Sequence, residues 1–130
     1  MEAAIINRLL ASEGVTALVA QRITPGRRDQ GGALPAIVVH RIDGQRDYHL
    51  TGASGLVASR MQVDCWAATY GDAKRAARAV DAVMSGARWT VGAVRIDAVL
   101  IADERDDTFD EDGDALYRTS LDLMVHHAIA

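Results

Sequence analysis

The sequence predicts a small α+β domain, a mostly antiparallel sheet of four to five strands with two helices packed on one face. Three observations carry this. Met61, Val63 and Cys65 alternate with Gln62, Asp64 and Trp66, the period-two pattern of a strand with unlike faces. Directly after them, Ala73, Ala76, Ala77, Val80, Val83 and Met84 recur at helical spacing and form one apolar stripe. Near the end, Tyr117, Thr119, Leu121, Leu123 and Val125 alternate with Arg118, Ser120, Asp122, Met124 and His126. At 130 residues the chain is one domain, 1–130, able to bury roughly two-thirds of its unfolded surface around one core.

Taken in order, Ile5, Ile6, Leu9 and Leu10 mark a first helix near residues 2–12, ending around Gly14. Val15, Leu18 and Val19 add a short further turn. Arg22-Ile23-Thr24 reads as a brief edge strand, stopped by Pro25-Gly26. Residues 26–34, with two arginines and three glycines, read as a flexible loop. Ala36 to Ile42 is the first clear strand, with Pro35 at its start, where a missing N–H does least harm. Residues 43–56 contain Gly44, Gly52 and Gly55 and read as a long hairpin arm, with Tyr48, His49 and Leu50 in paired positions. The arm leads into the strand of Arg60 to Trp66.

Thr69 and Asp72 stand in a Thr-x-x-Asp capping pattern before the helix, and Gly86 stands where it should stop. Small residues on the stripe allow this helix to lie close across the apolar face of the sheet. Trp89 to Val91 and Val94 to Ala102 flank Gly92 as a tight hairpin. In its second arm Val94, Ile96, Ala98, Leu100 and Ala102 form the apolar face, and Arg95, Asp97 and Asp103 the other. Residues 103–114 hold eight Asp or Glu against one Arg and read as an acidic loop, extended by mutual repulsion unless something basic meets it.

No reactive centre is visible. A calcium loop with Gly113 at its sixth position would need an acidic residue at Thr108 and a bidentate Glu at Thr119, so it fails at both ends. His126 and His127 are adjacent on a strand and point to opposite faces, which prevents joint chelation. They read as strand-end surface residues, and pairing with His40 or His49 is not legible in the sequence. The lone Cys65 rules out an internal disulfide, and its apolar neighbours make it a reduced, buried thiol rather than a nucleophile. Gly52-Ala53-Ser54-Gly55 lacks the spacing of a nucleophile elbow, and no Gly-Lys-Ser/Thr phosphate loop occurs. No catalytic residue, metal or cofactor is expected, and the chain does not read as an enzyme.

Three features are left for recognition. Arg27 and Arg28 can meet phosphates or an acidic neighbour, or simply be solvated. Trp66, opposite the apolar side of its strand, calls for a second buried layer or a subunit contact. The net charge of −4 argues against a nucleic-acid binder that relies on a basic surface, and it does not exclude a surface that must avoid sticking to DNA. The first ten residues, with an early Glu2, do not resemble a signal peptide, and no run approaches the ~20 apolar residues of a membrane span. A soluble protein made inside the cell is expected.

With this order laid out, the chain resembles the tail-completion, or tail-terminator, proteins of long-tailed phages and gene transfer agents. The resemblance rests on Val15 to Val19 with Arg22-Ile23, on Leu34 to Val39, on Arg60 to Trp66 with Thr69-Tyr70, on the Ala-rich helix, and on Tyr117 to Leu123. It covers nearly the full length. It implies a non-enzymatic assembly part: a hexameric ring on the head-proximal end of the tail, assembled in the host cytoplasm. Such a ring stops tube polymerisation and forms the head-tail joining surface. Its implied partners are copies of itself, the tail tube protein and the head-completion or connector protein, with DNA crossing the lumen unbound. A closed ring needs two different complementary patches on each subunit. Asp106, Asp107, Asp110, Glu111 and Asp112 are expected either to line the lumen or to meet Arg27 and Arg28 of a neighbour. Tyr48 and Trp66 are the other expected contacts. The rival reading is a small ligand-binding or regulatory α+β domain with Trp66 or Tyr48 lining a pocket.

Overall fold

Three helices pack on one face of a six-stranded sheet in the computed structural model, which describes residues 2–28, 31–49 and 52–129. The elements are α1 (Glu2–Leu10), α2 (Glu13–Val19), β1 (Ile23–Pro25), β2 (Ala36–His49), β3 (Gly52–Ala67), α3 (Tyr70–Met84), β4 (Trp89–Val91), β5 (Val94–Glu111) and β6 (Asp114–Ile129). The strand order is β1-β2-β3-β6-β5-β4. Among the described strands only β1 and β2 run parallel, so the sheet is mixed.

The α+β class and the single helical layer stand, but four to five strands and two helices become six and three. The additional helix arises because Ser12 is extended (φ −91°, ψ 120°) and its carbonyl accepts the Thr16 N–H at 2.9 Å, which starts a new helix. Gly14 therefore lies inside α2 and does not end α1.

The acidic segment is where the sequence misleads most. It is no loop: Asp103 to Glu111 continue β5, and Asp112 and Gly113, both at positive φ (53° and 86°), form the hairpin turn into β6. Two consecutive left-handed residues are what a type I′ turn requires, and Asp-Gly is among its preferred pairs. Cations relieve the repulsion that the composition suggested. Asp107 sits across from Arg118, whose guanidinium lies 2.7 Å from its carboxylate, and Lys74 of α3 reaches Glu104 and Asp106, each at 2.8 Å.

The inner face is built by pairing alone. Rows such as Val39–Val63–Leu121 and Ile37–Cys65–Thr119 cross β2, β3 and β6, and their apolar members are fully buried beneath the helices. Burial of the Cys65 thiol, and then the nearby Asp64 and Glu104 charges, push its pKa far up, which makes it the inert thiol expected. Above the sheet, Thr69 caps α3 by accepting the Asp72 N–H at 3.1 Å, and Gly86 (φ 72°) turns the chain away after Ser85. Ala76, Ala77 and Val80 line the buried side of α3, so the helix lies close to β3 and β6.

The expected apolar face of β5 holds only to Ile96. A register shift between Ile96 and Ala98 turns Val99 inward and leaves Leu100 54 % exposed, and a second follows between Ile101 and Asp103, so alternation read straight through the strand assigns the wrong side.

Candidate assembly surface

Among the described residues no helix covers the outer face of the sheet, and its central rows mix polar and apolar side chains. One row runs Ala36–Trp66–Arg118–Asp107 and the next runs Val38–Asp64–Ser120–Arg105. At the centre of the second row Asp64 is buried, on the face opposite Met61, Val63 and Cys65. Its oxygens accept three hydrogen bonds: from Ser120 Oγ at 2.6 Å, Gln62 Nε2 at 2.8 Å and His40 Nε2 at 3.0 Å. Neither Asp64 nor Ser120 was singled out by sequence reasoning. The available signal was an Asp in a strand interior, where that residue is disfavoured.

Trp66 is half-buried beside this network. Phe109 lies against it (ring centroids 5.5 Å apart), and the guanidinium groups of Arg28 and Arg118 sit over its ring at 5.4 and 5.3 Å. Much of the cover expected from a second layer thus comes from its own chain. Arg28 also bonds Glu111, whose other oxygen accepts the Gly31 N–H at 2.7 Å. The 26–34 loop is thereby fastened to the tip of the β5–β6 hairpin, and an open groove of about 400 Å³ lies between them, with Trp66, Asp64 and His40 in its wall.

Each expected contact residue can now be placed. Arg28, expected to reach a neighbour, is engaged within the chain. Arg27 is exposed and has no ion-pair partner among the described residues. The Tyr48 side chain lies outside the described residues, while its backbone pairs with Ala53. Asp106 accepts from Lys74 and, at 2.8 Å, from Thr119 Oγ1, and Asp107 pairs with Arg118. Asp110 and Asp112 lack a cation partner among the described residues, as does Asp114 beside them. The unbalanced negative charge therefore collects at the hairpin tip and not along the whole segment.

The clasp between α3 and β5 has a pH signature. Lys74 donates to Asp106 and Glu104, and this raises its own pKa and lowers theirs, with Arg78 adding to the effect on Glu104. The carboxylate contribution is complete above the unfolded carboxylate range of about 4 and is lost as pH falls through the lowered values. The Lys74 contribution is complete below about 10.4 and is lost as pH rises through its raised value. Because these groups are partly exposed, Lys74→Met is expected to cost only about 1 kcal/mol at low salt, and less at high salt. Urea midpoints at two ionic strengths check this.

The histidines divide. His126 is exposed, as expected, but His127 is not a plain surface residue. It is half-buried on the inner side, bonded to buried Ser59 Oγ at 2.7 Å, and burial, helped by Arg41, lowers its pKa. Among the described residues, no group of three or more His, Cys, Asp or Glu side chains is placed to hold a metal ion.

The family model described as tail completion protein gp17 matches residues 3–128. A chain in a structure titled "Virion of native gene transfer agent (GTA) particle" superimposes with a TM-score of 0.82 at 20 % identity, covering 98 % of this chain and 94 % of that one. At that identity it is the fold that is shared. No curated protein matches the chain.

Proposed function

The chain belongs to the tail completion protein family, which is structural and not enzymatic, and on that premise we propose that it caps a phage-like tail as a closed ring. The ring sits at the head-proximal end of the tail tube, ends tube polymerisation and offers the surface that joins the head. Six copies complete it. DNA crosses its lumen without specific binding. The observation that carries this reading is the family match from residue 3 to residue 128. The charge distribution supports it. The net charge is −4, and the carboxylates of Asp110, Asp112 and Asp114 have no cation beside them among the described residues. A negative tip directed at the lumen repels the DNA backbone and keeps the passage free.

The test is to add the purified protein to tail tube protein during polymerisation and to image the products by negative stain. Rings capping one end of shortened tubes, with head joining restored, are expected. A monomer that leaves tube length unchanged would overturn the reading, and tight binding of a metabolite in the groove beside Trp66 would favour the rival ligand-binding domain.

A further inference from the structure

Both edges of the sheet are stepped. On one edge β1 covers β2 only from Ile37 to Val39, and β2 continues to His49 with no strand beside it among the described residues. On the other edge β4 covers β5 only from Val94 to Ile96. The Gly86 N–H then closes on the Val99 carbonyl at 2.9 Å, and Leu100 to Glu111 have no outer strand among the described residues.

The pairing registers allow the two steps to be compared. The row of Ile37 crosses Cys65 and Thr119 to Asp106, and the row of Val39 crosses Val63 and Leu121 to Glu104. So β1 stands at the level where β5 is bare. The row of Ile96 crosses His127 and Val57 to Arg46, so β4 stands at the level where β2 is bare. Each protruding strand lies opposite a recess on the far edge. The directions also agree with strand pairing, since β1 runs against β5 and β4 runs with β2.

We propose that these stepped edges are the two halves of one head-to-tail contact between copies of this chain. β1 of one copy lies antiparallel along the bare part of β5 of its neighbour, and the neighbour's β4 lies along the bare part of β2 of the first. This rests on the ring reading above and assigns its interface.

Two properties point to a second copy as the occupant. The first is charge: exposed Arg27 follows β1 and has no ion-pair partner among the described residues, while the bare part of β5 carries six carboxylates, of which Asp110 has no cation partner among the described residues. The second is apolar exposure. Ile42 on the bare part of β2, Leu100 on the bare part of β5 and Val91 in β4 are 50, 54 and 41 % exposed, three of the most exposed large apolar side chains described. Long bare strand edges invite uncontrolled pairing, and a closed heterologous ring satisfies them all.

Thr24 and Arg105 lie in one outer-face row, through Val38, Asp64 and Ser120, and would face each other across the contact. The full-length double variant Thr24→Cys/Arg105→Cys is therefore treated with a bis-maleimide after assembly on tail tubes and run on a denaturing gel. Thr24→Cys/Asp103→Cys serves as a second pair, because Arg105 also bonds Asp122 whereas Asp103 lies across from it, a like charge. Native Cys65 is buried and should not react. A ladder reaching the ring's copy number is expected from either double variant, with each single variant remaining monomeric on the gel. Rings without a ladder from both double variants would overturn the edge assignment and leave the ring reading intact. Cross-linking of a single variant would show like edges meeting and overturn it as well. Absence of any ring from the unmodified protein would overturn both.

Discussion

Asp64→Ala should lower the folding stability by about 3 kcal/mol, although the residue lies on the face of the sheet that no helix covers. The reason is the set of donors that converge on it. Ser120 is fully buried, and its hydroxyl donates to Asp64 Oδ1 at 2.6 Å; Gln62 shares that oxygen and His40 takes the other. Truncation leaves these donors without their acceptor, and of the three the fully buried Ser120 hydroxyl is the hardest for water to serve. Asp64→Asn tests the chemistry separately from the volume. Its amide keeps one acceptor oxygen but turns an NH₂ group toward a donor, so about half the loss is expected. Asp64→Ala combined with Ser120→Ala should cost less than the two single changes summed, because removing both partners leaves no orphaned group. Urea midpoints at constant slope measure all three. A loss below about 0.5 kcal/mol for Asp64→Ala would show that this network contributes nothing to the fold.

Asp64 also shows where the sequence stops being readable. Alternation assigned Met61, Val63 and Cys65 to the core, and all three are fully buried. The same pattern set Asp64 on the opposite face but could not show that it is buried, because a hydrogen-bonded carboxylate is created by partners 24 and 56 residues away. The capping of α3 by Thr69 was legible for the opposite reason, since donor and acceptor are three residues apart. β5 failed in both respects. Its carboxylates are held by Lys74, Arg78 and Arg118, cations that only the tertiary fold brings near, and its register shifts interrupt the period that a strand reading relies on. The groove beside Trp66 needed the contact between Arg28 and Glu111, 83 residues apart, so a lone outward tryptophan could announce a recognition surface without describing it.

On the other face of the sheet, Leu121→Ala should be the most damaging of the simple truncations, at about 3–4 kcal/mol. Leu121 is fully buried on β6, and its row holds Val63 on β3. How much a leucine truncation costs depends on whether the surroundings can collapse into the space. Here they are constrained. α3 already lies close because Ala73, Ala76 and Ala77 make up the first part of its buried side, ahead of Val80 and Met84, and these small side chains cannot reach further into a cavity. The sheet cannot close from below, because β6 is held by continuous pairing to β3 and β5. The void should therefore persist and place the cost in the upper part of the usual range. Leu121→Met, which conserves volume, should cost less than about 1.5 kcal/mol. For a domain of this size the alanine variant should melt roughly 10 °C or more below the parent, measured by circular dichroism. A drop of only a few degrees would mean that α3 can settle onto the sheet after all, and that its small-residue stripe does not set the spacing between helix and strands.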